Sequence, residues 1–174
     1  ILVPSGFERP YRQTQTVRMN THPIEGGRPG SRVLLSEPNA AFLSKAMNMT
    51  SAAGFKEGTP MIDMTGRSPG VLHVLKAENL GQAWTIGGYP GSLDLAVAAL
   101  QRVPCEKFAV AWLLQEEKGR GRISPDLIAR MGGEIQRDYQ EVARWETSSG
   151  AGGHRGKYTQ TLLKPIRPMS DAAT

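Results

Sequence analysis

The stretch WTIGGYPGSLDLAVAALQRV, residues 84–103, holds the transition on which the fold reading turns. Trp84, Thr85 and Ile86 favour extended backbone. Gly87, Gly88, Tyr89, Pro90, Gly91 and Ser92 then form a run of turn formers, and from Leu93 onward apolar residues recur at helical spacing. The pattern predicts a strand over 83–87 and a helix opened by Ser92 as N-cap, with Asp94 near the positive end of its dipole.

The same unit recurs on both sides. Upstream, RVLLS (32–36) reads as a short strand, followed by a helix carrying Phe42, Leu43, Ala46 and Met47 on one face and ending at Gly54. PMIDMT (60–65) is the next strand, and SPGVLHVL (68–75) a short helix with Ser68 as cap and Pro69 at its first position. Downstream, KFAVAWLL (107–114) reads as a strand covered on both faces, and SPDLIARMG repeats the Ser-Pro helix start. VARWET (142–147) and KYTQTLL (157–163) read as two antiparallel strands joined by the glycine-rich loop 148–156. Alternation of this kind predicts an α/β fold: a three-layer, Rossmann-like, mostly parallel sheet with helices on both faces and a C-terminal antiparallel hairpin.

The 174 residues suffice for one ordinary domain. Residues 1–31, rich in proline and without sustained period, read as an irregular basic arm. Residues 32–167 read as the single α/β domain, and 168–174 as a disordered tail. The longest apolar run, 108–114, falls far short of the ~20 residues that cross a bilayer.

The net charge of +5 is concentrated at the ends. Residues 1–32 hold five arginines against two glutamates, residues 144–174 five basic side chains against two acidic ones, and the middle is nearly neutral. With the aromatics scattered, this pattern argues against a nucleic-acid binder and fits an anionic surface such as a membrane face. Cys105, the single cysteine, excludes an internal disulfide and a paired-thiolate metal site, and as a small thiol beside a strand it is expected to be half-buried. His22, His73 and His154 have no metal-ligand spacing, so neither a metal nor a cofactor is expected. Trp84 and Trp112 are expected in the core and Trp145 on a less-covered strand. The Asn48 sequon falls inside a helix and is discounted as a glycosylation site.

In open α/β sheets ligands bind beyond the carboxyl ends of the strands, beside helix N-termini. Two loops have that position, 63–70 and 86–92. They supply the candidate ligand-binding residues Asp63, Thr65, Arg67, Ser68, Gly87, Gly88, Tyr89 and Ser92, with Asp63, Arg67 and Tyr89 expected to face one crevice. Neither loop is a dinucleotide or Walker fingerprint. Pro90 removes a donor and no lysine flanks the second loop, which leaves Arg67 as its plausible cation. A tight structural corner and a ligand cradle both remain open readings, and no catalytic residue is assigned.

The segments GTPMIDMTGRSPGVLHVL (58–75), GQAWTIGGYPGS (81–92) and CEKFAVAWLL (105–114) resemble the C-terminal extramembrane domain of large bacterial multi-pass membrane proteins. Those proteins are in turn similar to the lipid-linked-sugar glycosyltransferases of the C superfamily. The resemblance spans about residues 1–167 and implies a non-catalytic accessory domain on the periplasmic face of the inner membrane. Ile1-Leu2-Val3 would then be the stub of a last membrane helix, and the basic arm would lie beside lipid headgroups. The implied partners are the membrane part of the parent chain and the lipid surface, with a glycan or lipid-linked sugar as a third. The catalytic carboxylate of such enzymes lies in their membrane part, so no active-site residue maps onto this chain. The alternative is a free-standing small α/β enzyme or phosphate-ligand binder using the 63–70 and 86–92 loops.

Overall fold

A computed structural model describes Glu8, residues 15–149 and residues 156–166. His154 and the 168–174 tail lie outside the described residues. Two strands, β1 (His22–Glu25) and β2 (Arg32–Leu35), form an antiparallel pair. Helix α1 (Glu37–Ala52) leads to β3 (Pro60–Asp63), α2 (Pro69–Val74) and the two-residue β4 (Glu78–Asn79). Helices α3 (Ser92–Leu100) and α4 (Cys105–Ala109) precede β5 (Trp112–Glu116). The chain closes with α5 (Asp126–Arg130), α6 (Ile135–Asp138), β6 (Tyr139–Glu146) and β7 (Thr159–Pro165).

The main sheet is a mixed α/β sheet in the order β4-β3-β5-β7-β6. β3 pairs parallel with β4 and β5, whereas β7 pairs antiparallel with β5 and β6. The expected mostly parallel sheet is thus half antiparallel, because β7 inserts beside β5 and puts β6 at the edge. Alternate strand residues feed two apolar clusters, as the twofold period of a strand requires. Met61, Trp112, Leu114, Leu162 and Trp145 join α1 and α2 in one; Ile62, Leu113 and Leu163 join α3, α4 and α5 in the other. Phe55 meets Trp112 edge to face at 5.3 Å.

Several expectations are corrected. The 32–36 strand exists as β2 but lies outside the main sheet, bound to β1, which falls in the stretch read as irregular. Residues 83–87 form no strand. Trp84 adopts φ 63° and Gly88 φ 82°, backbone that cannot run in a ladder, and the short β4 upstream takes the edge instead. The 107–114 strand begins only at Trp112. Pro104 has the φ of a helix start, and its carbonyl accepts from Lys107 N and Phe108 N, so the front of the apolar run becomes α4. A continuous apolar run does not distinguish the two outcomes.

Ser92 is not the N-cap of α3. Gly91, at φ 78°, takes that position. Trp84 is 47% exposed and Trp145 only 2%, the reverse of expectation, because β6 is covered by α1 while the 84–88 loop lies at the rim. Cys105 is exposed at the start of α4. His73 lies on the exposed side of α2, and its carbonyl accepts from Gly27 N at 3.1 Å.

Candidate functional site

The carboxyl ends of β3 and β5 meet three loops: 63–69, 84–91 and 117–124. The first winds around its own carboxylate. Asp63 Oδ1 accepts from Thr65 N at 2.9 Å and from the Thr65 hydroxyl at 2.6 Å, and Oδ2 accepts from Ser68 N at 3.1 Å. Thr65 Oγ1 in turn accepts from Arg67 N at 3.1 Å. Short polar side chains that bond their own backbone two residues on build such turns from sequence alone. Asp63 therefore satisfies the donors of the turn that enters α2, a structural role.

Ser68, at the N-cap position of α2, makes no capping bond. Its Oγ accepts from Gln160 Nε2 at 2.8 Å, and the same nitrogen lies 3.2 Å from Glu116 Oε2. Gln160 Oε1 accepts from Trp145 Nε1 at 3.1 Å. This buried chain ties β6, β7 and β5 to the first loop. Burial pushes the carboxyls of both Asp63 and Glu116 above the ordinary range. For Asp63 the bonds from Thr65 and Ser68 oppose the shift. For Glu116, Gln160 and Arg67 oppose it and the Asp63 charge adds to it.

Glycine joins the three loops. Gly87 N donates to Gly121 O at 2.7 Å, and Ile123 N donates to Met64 O at 2.9 Å. A Cβ at Gly66, whose φ is 71°, would run into Gly121 O and reach within 2.9 Å of Thr85 O. A Cβ at Gly87 would collide with Arg122 O. A Cβ at Gly121 would lie 2.7 Å from Arg67 Nε. The glycines of the opening stretch thus serve close backbone packing.

Asp63, Thr65, Arg67 and Ser68 come together as one hydrogen-bonded turn. Gly87 packs on the third loop, whereas Gly88 faces open space and Tyr89 stands 67% exposed. The sequence reading missed Glu116 and Gln160 and placed Trp145 on a less-covered strand; strand pairing brings Glu116 and Trp145 to Gln160, which bonds Ser68 of the loop. It also missed the third loop, Lys118-Gly-Arg-Gly-Arg122. Its cations Lys118, Arg120 and Arg122 are exposed, so Arg67 is not the lone cation near the 84–91 loop. Arg67 Nη2 lies 3.4 Å from Arg120 O. The signal was available, since alternating glycines and cations directly after a strand mark a close-packed basic turn.

Beside these loops a recess of about 260 Å³ is lined by residues including Met64, Glu116, Arg122 and Thr161. Among the described residues no three His, Cys, Asp or Glu side chains are grouped to hold a metal ion, and no helix is long and apolar enough to cross a membrane. Compared with protein-family models, curated proteins and solved structures, the chain matches none.

Proposed function

We propose that the chain is a non-catalytic extracytoplasmic domain of a membrane-embedded, glycosyltransferase-like protein, facing the periplasm and stabilising the membrane part or positioning its acceptor or glycan. The membrane-protein half of this reading rests on the resemblance of residues 58–75, 81–92 and 105–114. The non-catalytic half is carried by one observation: both oxygens of Asp63, the best-placed carboxylate, bond the turn that holds them. A carboxylate so engaged has little capacity left for a substrate. The reading includes a Rossmann-like, three-layer arrangement of helices about the sheet, supported by the two apolar clusters fed by alternate strand residues.

The exposed cations Lys118, Arg120 and Arg122 favour a second reading, a phosphate-ligand binder. Calorimetric titration with ATP, NAD and sugar nucleotides separates the two. The first reading expects affinity no tighter than millimolar, about −4 kcal/mol. Micromolar binding that disappears in Arg67→Ala, with the melting temperature unchanged, would establish the second.

A further inference from the structure

Ten large apolar side chains are exposed among the described residues, and four of them, Trp84, Ile86, Tyr89 and Leu95, fall within twelve consecutive positions. They are not isolated from the basic loop. A Cβ on Gly121 would lie 3.2 Å from Ile86 Cγ2 and 3.4 Å from Arg67 Cζ, so Ile86 and the Arg67 guanidinium both rest on the backbone between Arg120 and Arg122. The rim at the carboxyl end of β3 and β5 therefore brings exposed Ile86 against Arg67 and the backbone between Arg120 and Arg122. Trp84 and Tyr89 are exposed in the same 84–91 loop as Ile86, and Lys118 is exposed in the same loop as the two arginines. Of the nearby acids, Asp63 is bonded into its turn, Glu116 is 4% exposed, Asp94 pairs with Arg130, and Glu117 shares Arg144 with Glu141. Trp84 also keeps a left-handed backbone at φ 63° while 47% exposed, a conformation that costs energy in a bulky residue.

We propose that this rim docks on the surface of an anionic lipid bilayer, with Trp84, Ile86 and Tyr89 at the headgroup level and Arg67, Lys118, Arg120 and Arg122 on lipid phosphates. Charge complementarity selects the occupant: clustered cations next to amphipathic aromatic rings are what a bilayer interface with negative headgroups recruits. Single-stranded nucleic acid would use the cations and the aromatic rings but has no use for exposed Ile86 and Leu95. Each phosphate contact is weak alone, so the surface gains from many headgroups at once and not from one soluble anion. The inference rests on the membrane-embedded parent of the proposed function, and it moves the lipid contact that the resemblance implies from the N-terminal arm to the sheet rim.

The test mixes the full 174-residue chain with vesicles of phosphatidylserine and phosphatidylcholine, or of phosphatidylcholine alone. Trp112 and Trp145 are 6% and 2% exposed, so a vesicle-induced blue shift of tryptophan emission reports Trp84. The expected result is a blue shift and cosedimentation with the anionic vesicles only, both weakened by salt. Lys118→Gln with Arg120→Gln should weaken partitioning about 25-fold, about fivefold per cation, without changing the melting temperature. Tyr89→Ser, at a side chain that is 67% exposed, should weaken it further. Binding that the double variant leaves unchanged would overturn the rim as the contact while leaving the lipid-facing reading intact. Absence of any vesicle binding would remove both. Binding of a single-stranded oligonucleotide in preference to anionic vesicles would also overturn the inference.

Discussion

Replacing Gly66 by valine is expected to lower stability by at least about 3 kcal/mol, a large fraction of the usual total of about 5–15 kcal/mol. Two costs combine. The backbone at φ 71° is one a β-branched residue adopts only under strain. The added Cβ would also overlap Gly121 O, a backbone atom that cannot rotate away. Gly87→Ala tests the second cost by itself, since its backbone is not left-handed but its Cβ would meet Arg122 O and lie 2.7 Å from Arg122 C. About 1–3 kcal/mol is expected there, the usual range for overpacking. Gly88→Ala is the control: φ is 82° but the space is open, so only about 1 kcal/mol of backbone strain is expected. Urea unfolding of the three variants checks the order. Equal losses at Gly66 and Gly88 would show that the loops do not pack as described.

Asp63→Ala is expected to cost about 2–4 kcal/mol, because two backbone N–H groups and the Thr65 hydroxyl lose their acceptor inside the turn. The pH dependence of the same cluster has a defined sign. Burial raises the folded-state pKa of Asp63 and Glu116 above the ordinary values of 3.8 and 4.5, so across that interval the folded chain holds more protons than the unfolded one. The contribution is fully present below those ordinary values and is lost as pH rises through the raised ones. Glu116→Gln removes one of the two groups and keeps an oxygen for Gln160, so it should gain stability relative to wild type as pH rises above the ordinary carboxyl value of 4.5. Melting curves of the two proteins across that range supply the comparison, and parallel pH profiles would contradict the assigned shift.

Asp63, Thr65, Arg67 and Ser68 were legible in the sequence because their contacts are local: the turn is written in residues that bond partners two to five positions away. The parallel strands β3 and β5 were legible from the apolar runs near 60 and 112, but not that they pair directly, because 83–87 reads as the strand next to β3. What failed was long-range. Trp84, Thr85 and Ile86 carry strand propensity, but the chain there is held by Gly87 against Gly121, a partner 34 residues away that no local pattern shows. Trp145 sits on an edge strand and reads as half-covered until α1 packs over β6. β1 offers one buried residue, Ile24, in four, too little for a period to emerge. The basic third loop was averaged away in a middle segment whose acids outnumber its bases by one, because the acids Asp63 and Glu116 turn inward while Lys118, Arg120 and Arg122 face out.

Taken together, the opening stretch is a corner locked by glycine packing, and the proposed docking rim requires that corner to be rigid enough to present Trp84, Ile86 and Tyr89. Hydrogen exchange of the Gly87 amide, followed by NMR, tests that rigidity most directly. Its N–H is bonded to Gly121 O at 2.7 Å, so it should exchange about as slowly as the sheet-bound amides of Met64 and Ile123, which bond Leu114 O and Met64 O at 2.9 Å. Exchange at the rate of an unstructured peptide, with Met64 and Ile123 still protected, would show that the 84–91 loop is not locked to the sheet and would contradict the account.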